Sequence, residues 1–171
     1  SSLVTIFNGT WNPSTLTNAT LVEGTSTILM GGANGSFLGN NLTYNNLTFD
    51  GSPVITGTLT GTNTFNTLTL ADGTSLSVEA SSNQTMSSLV ANATCGNPIY
   101  LQSTVSGTQA NFTKSSGVVN IQFLNIKDMK AQGGATFNAK YSADLGNNTG
   151  WNFTSSPLVI DANVSSTYVS C

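Results

Sequence analysis

The sequence is nearly empty of charge. Its 171 residues include four lysines, no arginine, no histidine and seven acids, and charged side chains make up 6% of the chain, against about 25% in an ordinary soluble domain. Four lysines cannot neutralise a row of phosphates, which argues against nucleic acid as a partner, and against an anionic membrane surface on the same ground. The lack of histidine removes Ser-His-Asp and Cys-His catalysis together with the commonest metal ligand. Two cysteines, Cys95 and Cys171, are too few and too far apart to suggest zinc. No apolar run approaches the roughly 20 residues of a membrane helix, so no membrane insertion is expected. The acids Glu23, Asp50, Asp72, Glu79, Asp128, Asp144 and Asp161 are scattered, and Asp50 and Asp72 each precede a glycine, as turn residues do. Paired carboxylates for glycoside hydrolysis are not evident, and Asp144 with Asn147 and Asn148 matches no defined calcium loop. No enzyme activity, cofactor or metal is expected.

Polarity is carried by neutral side chains instead. Thr, Ser and Asn number 26, 22 and 21, about 40% of the chain. Such a composition often leaves a chain disordered, because it cannot bury enough apolar surface. Here Val, Ile, Leu, Phe, Tyr and Trp are threaded through the whole length at short intervals. Thr and the β-branched apolar residues favour strands, and no stretch offers an apolar face at i, i+3, i+4, i+7. The fold is expected to be all-β, in a single domain.

Several features point outside the cell. The sequence starts at Ser1 without a methionine or an apolar leader, as expected of a secreted protein whose signal has been removed. Asn-X-Ser/Thr occurs at Asn8, Asn18, Asn34, Asn41, Asn46, Asn83, Asn92, Asn111, Asn147, Asn152 and Asn163, roughly twice what composition alone gives, so covalent N-glycans are expected on some of them. A Cys95–Cys171 disulfide is expected in an oxidising compartment. It would close a 77-residue span and contribute about 2–4 kcal/mol.

The most informative feature is an internal repeat. Tyr44-Asn45-Asn46-Leu47-Thr48-Phe49 recurs as Phe65-Asn66-Thr67-Leu68-Thr69-Leu70 and, more loosely, as Met86-Ser87-Ser88-Leu89-Val90-Ala91, with a step of 21 residues each time. Thr43, Thr64 and Thr85 precede the three units, and Ile55 and Leu76 keep the same step. A fourth unit is read at Ile121-Gln122-Phe123-Leu124-Asn125-Ile126, after a longer excursion. A fixed period near 20 is what a solenoid leaves in sequence, each coil needing neighbours to bury its apolar face. The expected fold is therefore a right-handed parallel β-helix. Leu47, Leu68, Leu89 and Leu124 would form one interior ladder, with Tyr44, Phe65, Met86 and Ile121 beside it and Asn45, Asn66 and Asn125 as polar ladders. An antiparallel β-sandwich or jelly roll is the alternative, since short strands with frequent turn signals also describe it.

Residues 40–153 resemble the repetitive β-helical surface proteins of microbes and phages. The likeness lies in Tyr44-Asn45-Asn46-Leu47-Thr48, in Gly133-Gly134-Ala135-Thr136-Phe137 and in Gly146-Asn147-Asn148-Thr149-Gly150-Trp151-Asn152-Phe153. The last resembles the closing motif of large adhesin-like proteins, in which Trp caps the solenoid. The resemblance implies an extracellular structural or adhesive role with no catalytic residues.

The expected organisation is residues 1–39 as N-terminal strands or cap, 40–153 as the solenoid and 154–171 as a C-terminal strand segment. Strand-like ends, Leu3, Val4, Ile6 and Phe7 at one and Leu158, Val159, Ile160, Tyr168 and Val169 at the other, suggest head-to-tail or strand-addition contacts. Such contacts join copies of the chain into a homopolymer. The expected role is a subunit of a glycosylated extracellular filament or cell-surface assembly. The alternative is an adhesin or carbohydrate-binding module that uses exposed aromatics, with Trp11, Tyr100, Tyr141 and Trp151 as candidates.

Overall fold

A computed structural model describes residues 2–15, 22–50 and 56–154. It is a parallel β-solenoid, so the sandwich alternative falls. Two seven-stranded sheets run side by side along it, and a three-stranded sheet is added in its later part. The first sheet contains β1 (Leu3–Phe7), β3 (Thr27–Gly31), β5 (Thr43–Phe49), β7 (Thr64–Leu70), β9 (Asn83–Ala91), β11 (Ala110–Thr113) and β14 (Met129–Gln132) in that order. The second contains β2 (Thr10–Trp11), β4 (Asn34–Leu38), β6 (Thr56–Thr60), β8 (Ser75–Val78), β10 (Ile99–Ser103), β13 (Leu124–Lys127) and β16 (Ala143–Asp144). The third is β12 (Val118–Gln122), β15 (Thr136–Lys140) and β17 (Trp151–Thr154). The one helical turn among the described residues is the short 3-10 segment Pro13–Thr15. Within residues 1–39, expected as N-terminal strands or cap, the described strands β1 to β4 pair into the same two long sheets as the later ones.

The repeat is the rung spacing. Tyr44, Phe65 and Met86 lie in register, as do Leu47, Leu68 and Leu89. All six side chains are buried in one continuous core. Within β7 the inward residues are Phe65, Leu68 and Leu70, and two outward residues, Asn66 and Thr67, stand between the first two. Strict alternation permits only one. The strand therefore bends there, and the same break occurs at Asn45-Asn46 in β5 and Ser87-Ser88 in β9. Burying each large apolar side chain contributes about 1.5–3 kcal/mol, and a coil does so only between neighbours.

The fourth repeat unit needs correction. Leu124 does not extend the Leu47–Leu68–Leu89 ladder. It pairs with Ile99 in the second sheet, while Ile121 pairs with Ala139 in the third. Phe123, with φ of +57°, turns the corner between them. Asn125 accordingly faces Tyr100 and Ala143 rather than continuing from Asn66. Leu76 lies in register with Gly57, and Ile55 is outside the described residues.

In the later coils the third sheet takes over the part beyond the bend. Residues 114–117 separate β11 from β12, and Gly133-Gly134-Ala135 separates β14 from β15. Gly133 and Gly134 have φ of +102° and +98°, and a Cβ on either would lie within 2.7 Å of the carbonyl oxygen of Lys114 or Ser115 below. Only glycine turns this corner without displacing the coil beneath it.

Candidate functional site

With no catalytic cluster expected, the surfaces that meet other molecules are the ones to build. At the N-terminal end, β1 pairs with β3 over five residues and, among the described residues, with nothing on its other edge. Leu3 and Phe7 are 65% and 69% exposed, Val4 is partly exposed, and Ile6 packs against the core. A strand edge of this kind presents unpaired N–H and C=O groups beside apolar side chains. Asn8 ends β1 with φ of +51°, and its side-chain oxygen accepts from the Ala33 amide at 2.5 Å. That contact ties the turn of the first coil to the turn of the second. Leu158, Val159, Ile160, Tyr168 and Val169 lie outside the described residues.

Immediately behind this edge is the largest aromatic group. Trp11 stacks on Phe37 with centroids 6.3 Å apart, Tyr44 meets Phe37 edge-on at 4.9 Å, and Phe65 stacks on Tyr44 at 5.8 Å. The Tyr44 hydroxyl donates to the Gly39 carbonyl at 2.8 Å and accepts from the Trp11 indole N–H at 3.3 Å. Burial pushes the Tyr44 phenol above its ordinary pKa, and the Trp11 hydrogen bond offsets part of that shift. Trp11 is thus a packing residue. So is Trp151, which is buried against Phe112 and Phe137 and donates its indole N–H to the Met129 carbonyl at 3.2 Å. Of the four aromatics considered for sugar contact, Tyr100 and Tyr141 remain exposed, at 48% and 40%.

The glycosylation sequons divide in two. Asn8, Asn34, Asn41 and Asn92 are exposed, and their amide nitrogens donate to nothing among the described residues. The other described sites use that nitrogen. Asn46 donates to Thr27 Oγ1, Asn83 to Thr85 Oγ1, Asn111 to the Ser82 carbonyl, Asn147 to Asp128 Oδ1 and Asn152 to Asn138 Oδ1. A glycan bonded to the nitrogen would replace one of its two hydrogens and so compete with each of these contacts. Asn18 and Asn163 lie outside the described residues.

Three of the described acids, Asp72, Asp128 and Asp144, lie at turns or corners. Asp72 and Gly73 form a turn. Asp128 is buried with φ of +56° and accepts from Asn147. Asp144 Oδ1 accepts from the Gly146 amide and the Asn148 side chain. Among the described residues no three of His, Cys, Asp and Glu gather as metal ligands would. Cys95 lies between β9 and β10, in the turn closed by the Thr94↔Asn97 bridge. No described cysteine is a free thiol, and the expected partner Cys171 lies outside the described residues.

No family model, curated protein or solved structure matches the chain.

Proposed function

We propose that the protein is a structural subunit of a glycosylated extracellular filament or cell-surface assembly, built by end-to-end contact of solenoids. The observation that carries this reading is the open edge of β1, whose Leu3 and Phe7 remain 65% and 69% exposed at the first rung of the stack. A second copy whose last coil meets β1 would continue the ladder. That contact joins two different surfaces and does not close, so it propagates. The near absence of charge suits such a contact, because little ionic hydration has to be removed from either face. The abundance of sequons favours an extracellular setting, and a Cys95–Cys171 disulfide is part of the same proposal. Kinship in role with β-helical adhesin-like surface proteins is part of the same proposal.

The second reading, an adhesive or carbohydrate-binding module, is favoured by exposed Tyr100 on β10 and by Tyr141, whose ring lies 5.4 Å from Phe123. Negative-stain electron microscopy beside size-exclusion chromatography separates the two. Filaments that shorten when Leu3 and Phe7 become Lys support the first. A chain that stays monomeric at high concentration overturns it and directs attention to a glycan array.

A further inference from the structure

The first and third sheets share one column of strands. β1 lies on β3, and β3 lies on the far half of β5, since Ile28 is in register with Val4 on one side and Leu47 on the other. The far halves of β7 and β9 follow in register. From β9 the column passes to β12 through a single bridge, Asn92↔Gln122, and continues through β15 to β17. Beside that bridge β9 and β12 part and leave a cleft of about 410 Å³, lined by Ser88, Val90, Lys114, Val118 and Asn120 among others. The column therefore begins at β1 and ends at β17, and among the described residues each of these has one unpaired edge.

The two edges match in backbone and in side chains. The Asn8 amide donates to the Gly31 carbonyl and the Ser2 carbonyl accepts from the Thr27 amide, both at 2.9 Å. Backbone groups alternate in direction along a parallel ladder, so those of Val4 and Ile6 face β3 and those of Leu3, Thr5 and Phe7 face the open edge. At the other end the Thr154 carbonyl accepts from the Tyr141 amide at 2.7 Å. Asn152 and Thr154 thus face β15, and Trp151 and Phe153 face outward along the axis. Followed rung by rung, the inward position of Val4 arrives at Phe137 and Trp151, and that of Ile6 at Ala139 and Phe153. Ile28 and Met30 at these positions are buried, whereas Val4 in the first rung is 38% exposed. On the outer face Asn138 donates to Asn120 at 3.0 Å and Asn152 donates to Asn138 at 3.2 Å, and Thr5 occupies the same position in the first rung. Neither β1 nor β17 carries a charged side chain, so their contact removes no ionic hydration.

We propose that β17 of one copy pairs in parallel with β1 of the next, with Trp151, Asn152, Phe153 and Thr154 in register with Val4, Thr5, Ile6 and Phe7. This rests on the filament reading and specifies its joint. The Thr5 amide donates to the Trp151 carbonyl, the Thr5 carbonyl accepts from the Phe153 amide, and the Phe7 amide donates to the Phe153 carbonyl. Val4 and Ile6 gain Trp151 and Phe153 as the next members of their interior ladders. A slip of one residue sets the facing backbone groups against each other and turns the inward side chains out.

Disulfide cross-linking of the full chain tests the register. A Thr5→Cys chain would be mixed with an Asn152→Cys chain, assembled and oxidised, and the joined peptides identified by mass spectrometry. Neighbours in register stand about 4.8 Å apart at Cα, within the span of a disulfide, so the 5–152 product is expected. Thr154→Cys, two residues out of register, should join Thr5→Cys about tenfold less. Filaments that cross-link preferentially at 5–154, or at neither position, overturn this joint and leave the filament reading standing. Absence of assembly by the unaltered chain overturns both. Should a cysteine variant fail to fold, amide exchange of the unaltered chain decides. The amides of Thr5, Phe7, Trp151 and Phe153 should slow about tenfold on assembly, and equal exchange in monomer and filament overturns the joint.

Discussion

The coils up to β9 and those after it solve the same corner in different ways. In β5, β7 and β9 one strand bends through it, with two consecutive outward residues at Asn45-Asn46, Asn66-Thr67 and Ser87-Ser88. In the later coils the strand stops, a loop or glycine pair makes the corner, and a separate strand of the third sheet begins. The first solution keeps backbone pairing almost continuous, and its stability rests on interior ladders. The second shifts the requirement to backbone conformation, with glycines at positive φ pressed against the coil below. Side-chain volume governs one half and backbone geometry the other.

Three substitutions sharpen that contrast. Leu68 is fully buried with a leucine in register on either side. Leu68→Ala should cost about 4 kcal/mol, because rungs above and below prevent the site from collapsing. Urea denaturation reads this directly, and a loss under about 1 kcal/mol would remove interior ladders as the main support of the early coils. Gly150→Ala in the later coils places a Cβ 2.0 Å from the Ala131 carbonyl oxygen at φ of +77°. It should cost about 3 kcal/mol, from left-handed strain together with displacement of the coil below. Gly117→Ala, whose nearest atom is Lys114 Cε at 4.0 Å with φ of +88°, should cost only about 1 kcal/mol. Equal losses at the two glycines would show that the corner depends on φ and not on the approach of backbones.

The smallest effect concerns Tyr44. Tyr44→Phe deletes the hydrogen bonds to Gly39 and from Trp11 and should cost about 1 kcal/mol near neutral pH. Because the phenol of the folded chain titrates above its ordinary value of 10.0, its contribution is fully present below about pH 10. It is lost as pH rises through the raised value. The gap between wild type and Tyr44→Phe should narrow above pH 10, and a gap that widens there would contradict the sign of the shift.

These differences also decide what the sequence revealed. Tyr44, Phe65 and Met86, with Leu47, Leu68 and Leu89, disclose the solenoid because equivalent inward positions recur every 21 residues. The same pattern misleads at Ile121 and Leu124. In the early units two outward residues between inward ones mark a bend within a strand, whereas here Phe123 takes a left-handed conformation and divides two sheets. Spacing alone does not distinguish them. Tyr100 and Trp151 likewise look alike as aromatics on a strand, yet one is exposed and the other fills the core. The β9–β12 cleft left no sequence signal, because it arises from a pairing that does not form. The strand β1 was legible in the pattern of Leu3, Val4, Ile6 and Phe7, but its open edge was not.

The rung ladders also give the molecule a mechanical direction. Interstrand hydrogen bonds run along the solenoid axis, across seven strands in each long sheet. Tension along that axis loads the bonds of successive coils in series, so the weakest rung yields first and the others survive it. Tension along the strands shears all the bonds of a rung in parallel and must break them together. In this chain the weak rung is the β9–β12 junction, held by a single bridge over part of its width, and an axial pull would extend the protein there before any complete coil gives way.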